Sequence, residues 1–115
     1  MERDTPLAVI FYRTSSGREP VRDWLKSLPV EERKIIGEDI KTIQFGFPLG
    51  MPLVRKLKSG LWEIRSMLPS RIARTLFTLY EGDIILLHGF IKKSQKTPRE
   101  DLDLALKRMM NLMEI

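Results

Sequence analysis

Four basic residues in the second half of the chain have the types and spacing of a phosphate-binding site. Arg65 and Arg74 lie within two runs of β-forming residues, and Lys92 and Lys93 directly follow a third run. Guanidinium groups bind phosphate with two hydrogen bonds and stabilise the extra negative charge of a pentacovalent transition state. A lysine crowded by other cations can serve as a base toward a ribose 2′-hydroxyl. These four residues are therefore our candidates for metal-independent cleavage of an RNA backbone.

The positive charge of the chain is concentrated around these candidates. The net charge is +5 over 115 residues. Residues 1–54 hold eight Lys/Arg and eight Asp/Glu, whereas residues 55–99 hold ten Lys/Arg and three Asp/Glu. Such clustering is typical of a polyanion-binding surface, with a merely solvated charged surface as the alternative. We add three flanking cations as RNA-binding candidates: Lys58, Arg71 and Lys96.

Several other kinds of chemistry are disfavoured by composition. The chain has no cysteine, which excludes disulfides and thiolate metal sites. It has one histidine, His88, so Cys/His nucleophiles and histidine-pair ribonuclease chemistry are disfavoured. His88 lies among apolar residues, so we interpret it as structural rather than catalytic. No phosphate-cradling glycine motif is present. We expect neither a metal nor another cofactor.

The sequence also lacks the signals of membrane insertion or export. No run approaches the roughly 20 apolar residues of a membrane span, and no basic segment followed by an apolar one opens the chain. We expect a cytoplasmic protein without membrane contact.

Three strands must position the candidate cations. Residues 61–66, 72–80 and 84–91 are rich in apolar, β-branched and aromatic residues, and turn-forming residues separate them at Pro69-Ser70 and at 81–83. This pattern predicts an antiparallel three-stranded meander that ends at the lysine pair.

Strand alternation predicts which side chains share a face. Arg65 and Glu63 lie on one face of the first strand, and Trp62 and Ile64 lie on the other, where they would meet helices. Arg65 would then project from an open face. Arg74 is the one charge within the second strand, and burial without a partner would be costly, so it either pairs with Glu63 or occupies a wet cleft. We expect Arg74→Ala to leave folding intact and to lower RNA cleavage by about an order of magnitude or more.

The remaining elements support this meander. The patterns predict a strand over 8–13, a helix over 19–28, and a second helix from Pro29 to about Gly46. Residues 48–60 resemble a loop in which 54–58 could form an edge strand. A final amphipathic helix follows a capping box that begins at Thr97, and includes Met109 and Met113.

The expected fold class is therefore α+β, as a single domain over residues 1–115. A small antiparallel or mixed sheet would carry the N-terminal helix hairpin on one face. The C-terminal helix would follow the sheet, and the open face would bind RNA.

Three segments in a fixed order give the sequence a recognisable pattern: LWEIR at 61–65, RIARTLF at 71–77 and ILLHGFIKKSQKTP at 85–98. Together with the preceding strand and helix hairpin, they resemble the RelE/HigB toxins of bacterial toxin–antitoxin systems, in particular the phage-derived HigB-like branch. The likeness extends from about Ile10 to Ala105. It implies a RelE-like domain.

The resemblance implies an endoribonuclease, or mRNA interferase, that cleaves messenger RNA on the translating ribosome and is silenced by a cognate HigA-like helix-turn-helix antitoxin. It implies catalytic roles for Arg65, Arg74 and Lys92 or Lys93. It is also compatible with a dimer or a toxin–antitoxin heterotetramer. Family members often use a tyrosine or histidine near the C-terminus, and this chain has neither after His88. The resemblance therefore leaves the general acid unassigned.

Two other functions stay open from the sequence. Relatives with this fold that resemble ParE poison DNA gyrase rather than cut RNA, and inhibition of supercoiling would distinguish them. A non-catalytic RNA-binding or ribosome-associated module would use the same cations for salt-dependent affinity alone. Binding without cleavage would indicate the latter.

Overall fold

A computed structural model describes residues 5–47 and 53–112 of the chain. The described strands are β1 Val9–Phe11, β2 Val54–Lys58, β3 Leu61–Met67, β4 Ile72–Tyr80 and β5 Asp83–Ile91. The described helices are α1 Pro20–Lys26, α2 Val30–Gly46 and α3 Arg99–Leu112. Residues 48–52 of the predicted loop and Met113 of the predicted last helix lie outside the described residues. None of the described helices is long and apolar enough to cross a membrane.

The strands form one five-stranded mixed sheet in the order β1-β5-β4-β3-β2. The predicted meander is confirmed, since β3, β4 and β5 pair antiparallel in sequence order. The edge strand over 54–58 is also confirmed, as β2 pairs antiparallel with β3. On the opposite edge β1 pairs parallel with β5, and two described helices and three described strands separate the two along the chain. The α+β prediction is confirmed.

One face of the sheet packs on α1 and α2. Ile64 and Phe77 from the sheet are fully buried with Val21 of α1 and Ile36 of α2 in one apolar cluster. Trp62 belongs to the same cluster, and its ring stacks on Phe77 with centroids 5.9 Å apart. The predicted alternation in β3 is therefore confirmed. The apolar face of the helix hairpin finds its partner in the sheet.

The other face is not open along its length, which corrects the prediction. Leu61, Leu76 and Leu87 are fully buried there together with Ala105 of α3. The helix must bury its apolar stripe, and Leu106 and its neighbours find a matching surface on this face of the sheet. RNA can reach this side of the sheet only beyond the area that α3 covers.

An irregularity in β5 turns His88 toward α3. Leu76 pairs with His88 while the next residue, Phe77, pairs with Leu86, so Leu87 is an extra residue in the ladder. Nε2 of His88 lies 2.6 Å from Oδ1 of Asp101 on α3. This close partner agrees with the interpretation of His88 as a structural residue.

The predicted capping box at Thr97 is wrong. Helix α3 begins at Arg99, and the amide of Leu102 donates to the Pro98 carbonyl at 3.0 Å. The Thr97 hydroxyl instead donates to Glu63 at 2.6 Å. The same hydroxyl also accepts from two arginine side chains, so both its donor and its acceptor capacity are used in a buried cluster around Glu63 and not at the helix terminus.

Helix α1 sits directly on β5 at a glycine. A Cβ atom on Gly89 would overlap the six-membered ring of the Trp24 indole. The absence of a side chain at Gly89 therefore lets the indole approach the strand backbone, as glycine often does in strands.

We predict that Gly89→Ala destabilises the protein, by about 1 to 3 kcal/mol, because the added methyl group must displace the Trp24 ring. Urea denaturation followed by tryptophan fluorescence would measure the change. Gly37→Ala is the matched control, since nothing lies within 4 Å of a Cβ at that position on α2. Alanine in an exposed helix should stabilise by up to about 1 kcal/mol. Equal stability of the two variants would contradict the proposed fit.

Candidate functional site

A fully buried carboxylate, Glu63, lies at the centre of the predicted basic region. Its Oε1 is 3.4 Å from Nη2 of Arg55 and 3.5 Å from Nε of Arg74. The sheet register explains this arrangement, because Arg55 pairs directly with Glu63 across β2 and β3, and Arg74 occupies the diagonal position on β4. Of the two alternatives that the sequence left open for Arg74, the structure shows the pairing with Glu63 and not the wet cleft.

The guanidinium group of Arg74 makes its contacts inside the protein. Nη2 donates to the carbonyl of Gln95 at 2.8 Å, and Nη1 lies 3.5 Å from the Thr97 hydroxyl. Only 1% of the residue is exposed. Phosphate cannot reach a side chain in this position without rearrangement. Its contacts instead fasten the segment after β5 to the sheet.

More positive than negative charges lie around Arg74. Burial lowers its pKa from the ordinary value, the neighbouring Arg55 and Arg65 act in the same direction, and Glu63 opposes them. Two guanidinium groups, those of Arg55 and Arg74, thus contact one carboxylate, and a third, that of Arg65, lies near Arg74. Among the described residues, Nε of Arg55 and Nε of Arg65 are buried without a hydrogen-bond partner. The cluster therefore keeps both excess positive charge and unused donors.

Arg65 stands beside this cluster and is half-buried. It is the cross-strand partner of Arg74, and it lines a groove of about 460 Å³ together with Asp39 of α2 and Met67. Burial raises the pKa of Asp39, and the nearby Ser66 hydroxyl partly offsets the effect. Arg65 is thus the one of the two predicted catalytic arginines that faces a groove.

The predicted lysines lie in a second groove, which we call the cationic groove. Arg71, Lys92 and Lys93 line it, and its volume is about 730 Å³. Backbone bonds hold its two sides, since the Lys92 amide donates to the Ile72 carbonyl at 2.7 Å and the Leu68 amide donates to Arg71 at 2.8 Å. The end of the meander therefore presents three cations around one depression.

The two grooves adjoin. Met67 lines both of them, and 67% of its surface is exposed. Gln95 lines the cationic groove while its carbonyl holds Arg74. The buried cluster is thereby coupled to the groove through one backbone segment.

The remaining predicted residues lie apart from this depression or are already paired. Lys58 at the end of β2 and Lys96 after β5 are exposed and are not part of the groove lining. Arg71 forms a bidentate ion pair with Glu32 of α2, at 2.9 Å and 2.7 Å. The hydrogen bonds from Arg71 lower the pKa of Glu32.

Sequence reasoning missed the residues that organise the site. Arg55, Gln95 and Thr97 come together only in the fold, from positions 21 to 42 residues away from their partners. The one available signal was Glu63, a carboxylate in the middle of an apolar strand. No three side chains able to hold a metal ion come together within residues 5–47 and 53–112.

We predict that the free energy of unfolding decreases when the pH is lowered, because the ion pair between Glu32 and Arg71 is then lost. The folded protein lowers the pKa of Glu32 below its ordinary value of 4.5, so the pair contributes fully above that pH and is lost as pH falls through the lower, folded value. Urea denaturation at pH 7 and at about pH 3 would measure the loss. In the Glu32→Gln control this part of the pH dependence should vanish. An identical slope in both proteins would contradict the prediction.

We predict that Arg74→Met lowers the free energy of unfolding by about 3 to 5 kcal/mol, because Glu63 would stay buried with less compensation. This replaces the expectation from sequence that Arg74 is dispensable for folding. The double variant with Glu63→Gln should recover part of the loss, since a neutral amide needs less compensation. Urea denaturation of both variants and of the parent would measure this. A single variant as stable as the parent would contradict it.

Comparison with known protein families gives a match over most of the chain. The family model described as phage-derived protein Gp49-like (DUF891) matches residues 23–110. The matched span includes all of β2 to β5 and both grooves. A search of the curated proteins found no match to this chain.

Proposed function

The chain belongs to the phage-derived Gp49-like family, which is associated with RelE-like and ParE-like toxins of toxin–antitoxin systems, and we propose that it is an endoribonuclease that cleaves messenger RNA. Membership in such a family implies an antitoxin partner. Our proposal adds the substrate, the ribosome as the place of cleavage, and a HigA-like antitoxin.

The cationic groove is the observation that carries the proposal. It offers Lys92 and Lys93 at the rim of the sheet, beyond the area that α3 covers, beside Arg71, whose guanidinium is paired with Glu32. Lys93 is exposed and Lys92 is half-buried, so both amines can meet a phosphate without prior loss of their hydration. A groove with partly apolar walls and two lysines that form no ion pair within the described residues suits a single RNA strand.

The adjoining groove extends this path. An RNA strand that leaves the cationic groove over Met67 reaches Arg65, whose guanidinium group can bind a second phosphate. Arg74 acts behind this path as a positioning residue, because its bonds to Gln95 and Thr97 hold the segment that carries the lysines. The two arginines thus take different roles in the proposed reaction.

The reaction itself is an internal transfer. The ribose 2′-oxygen attacks the adjacent phosphorus, the bond from phosphorus to the 5′-oxygen breaks, and the products are a 2′,3′-cyclic phosphate and a 5′-hydroxyl. The 2′-hydroxyl loses its proton, and the departing 5′-oxygen gains one. Lys92, Lys93 and Arg65 would stabilise the negative charge that develops on the phosphate between these events.

We predict that Lys92→Gln combined with Lys93→Gln lowers message cleavage at least about 100-fold, since removal of one transition-state donor alone costs a comparable factor. Incubation with translating ribosomes and mapping of message ends would measure it. The control is Lys34→Gln with Lys41→Gln, two exposed lysines of α2 that remove the same charge. Both variants should unfold at the parent's temperature.

Two results would contradict the proposal. Intact message at every codon in the presence of the parent protein would exclude the nuclease. Inhibition of supercoiling by DNA gyrase, without message cleavage, would indicate the ParE-like alternative.

A further inference from the structure

Two separate parts of the chain carry basic residues away from the meander's lysine pair. The loop between β1 and α1, residues 12–19, holds Arg13 and Arg18 with one carboxylate, Glu19. In helix α3 the acidic residues lie in the first half, and Lys107 and Arg108 lie in the second half.

These separated cations meet at one place. Tyr12, Arg13, Lys107 and Arg108 line one groove of about 710 Å³. Arg18 and Arg108 line an adjacent groove of about 590 Å³. Arg108 lies between the two. We call the surface formed by Arg13, Arg18, Lys107 and Arg108 the second basic surface.

The loop that carries the two arginines has a defined shape. The Thr14 amide donates to the Arg18 carbonyl at 2.8 Å, and the Arg18 amide donates to the Thr14 hydroxyl at 3.1 Å. Gly17 closes the turn with φ of +90°, which favours glycine. Arg13 and Arg18 therefore project from the two ends of a closed turn.

Arg108 fastens α3 to the sheet at the same place. Its Nη1 donates to the Leu87 carbonyl at 2.7 Å, and its guanidinium lies 5.7 Å from the centre of the Tyr12 ring. Asn111 donates to the Tyr12 hydroxyl at 2.9 Å. The positions of the loop and the helix relative to each other are thus fixed by side-chain contacts.

We propose that the second basic surface binds the phosphate backbone of folded RNA, separately from the cationic groove. Arg13, Arg18 and Lys107 are exposed, and between the two arginines lie three hydroxyl residues, a kind of side chain that contacts nucleic acid backbones. Among the described residues that line the two grooves, Asp23 is the one carboxylate. Four cations and one carboxylate among these residues therefore line this surface.

The aromatic residues at this surface favour a folded RNA over a single strand. Proteins that bind single strands stack bases on exposed rings, whereas Tyr12 is 7% exposed and lies beneath Arg108. The ring of Trp24, which lines the adjacent groove, packs over Gly89. The surface thus offers cations and hydroxyls for backbone phosphates without an open platform for bases. A helical RNA, read through its shape and phosphates, suits this chemistry best.

This binding is independent of the proposed cleavage. The cationic groove is built by the β3–β4 turn and the segment after β5, and the second basic surface is built by the β1–α1 loop and α3. The two surfaces share no lining residue. A protein with both could hold a structured RNA while it presents the groove to a single strand.

The test uses an RNA duplex of two helical turns with 2′-O-methyl riboses, which cannot undergo 2′-hydroxyl attack. The triple variant Arg13→Gln, Arg18→Gln, Lys107→Gln leaves the structural Arg108 in place. We predict that it binds the duplex at least about 10-fold more weakly at low salt, and that the slope of log affinity against log salt falls by about 2 to 3, since each lost phosphate contact removes about 0.9. Fluorescence anisotropy over a salt series would measure both.

The control removes the same charge elsewhere. Lys26→Gln, Lys34→Gln, Lys41→Gln changes exposed lysines of α1 and α2 and should keep the parent's salt slope within about 1. Equal affinity and slope in the two triple variants would overturn the proposal. So would a triple variant that binds RNA as the control does but loses affinity for poly-glutamate, since this would assign the surface to an acidic polypeptide.

A further measurement distinguishes duplex binding at the second basic surface from the proposed cleavage in the cationic groove. The variant with Lys92→Gln and Lys93→Gln should bind the duplex within about threefold of the parent, because those lysines belong to the other surface. Loss of duplex binding in that variant, with no loss in the Arg13, Arg18 and Lys107 variant, would place the duplex in the cationic groove and overturn the inference. Message cleavage plays no part in either measurement.

Discussion

The burial of one carboxylate, Glu63, is the constraint on which the meander depends. An ionised carboxylate with no exposed surface is costly unless opposite charges and donors surround it, and here Arg55, Arg74 and Thr97 supply them from three different elements. A buried ion pair adds little net stability compared with apolar packing, but it specifies position. The carboxylate defines the relation of β2 and β4 to the segment before α3. The segment that carries Lys92 and Lys93 is placed by the same contacts.

The position of α3 gives the site its limits. The helix covers the apolar part of the second sheet face and leaves the end of the meander accessible. The basic residues therefore divide into a buried set, which holds the scaffold, and an exposed set, which can contact a ligand. Arg74 and Lys93 show the contrast, since the first is almost completely buried and the second is exposed. Residues of one charge sign and one sequence neighbourhood thus perform different physical tasks.

Local patterns in the sequence predicted the elements, and long-range contacts decided the site. The strands, the alternation of Trp62 and Ile64 against Glu63, and the edge strand at 54–58 follow from periodicity and turn chemistry, which are local properties. The partner of the Thr97 hydroxyl could not be predicted in this way, because a capping motif is a local choice and Glu63 lies 34 residues away. The covered second face was missed for a related reason. Amphipathicity shows that α3 buries a stripe, but not which surface receives it.

The bond between Arg74 and the carbonyl of Gln95 has a consequence for how such a groove can diversify. Because the arginine holds the backbone and not the side chain at that position, a replacement at 95 keeps the anchor while it alters the groove wall. The shape presented to a ligand can therefore change at this position while the Arg74 contact stays the same. Recognition along this wall and the anchoring of the segment after β5 thus depend on different atoms of one residue.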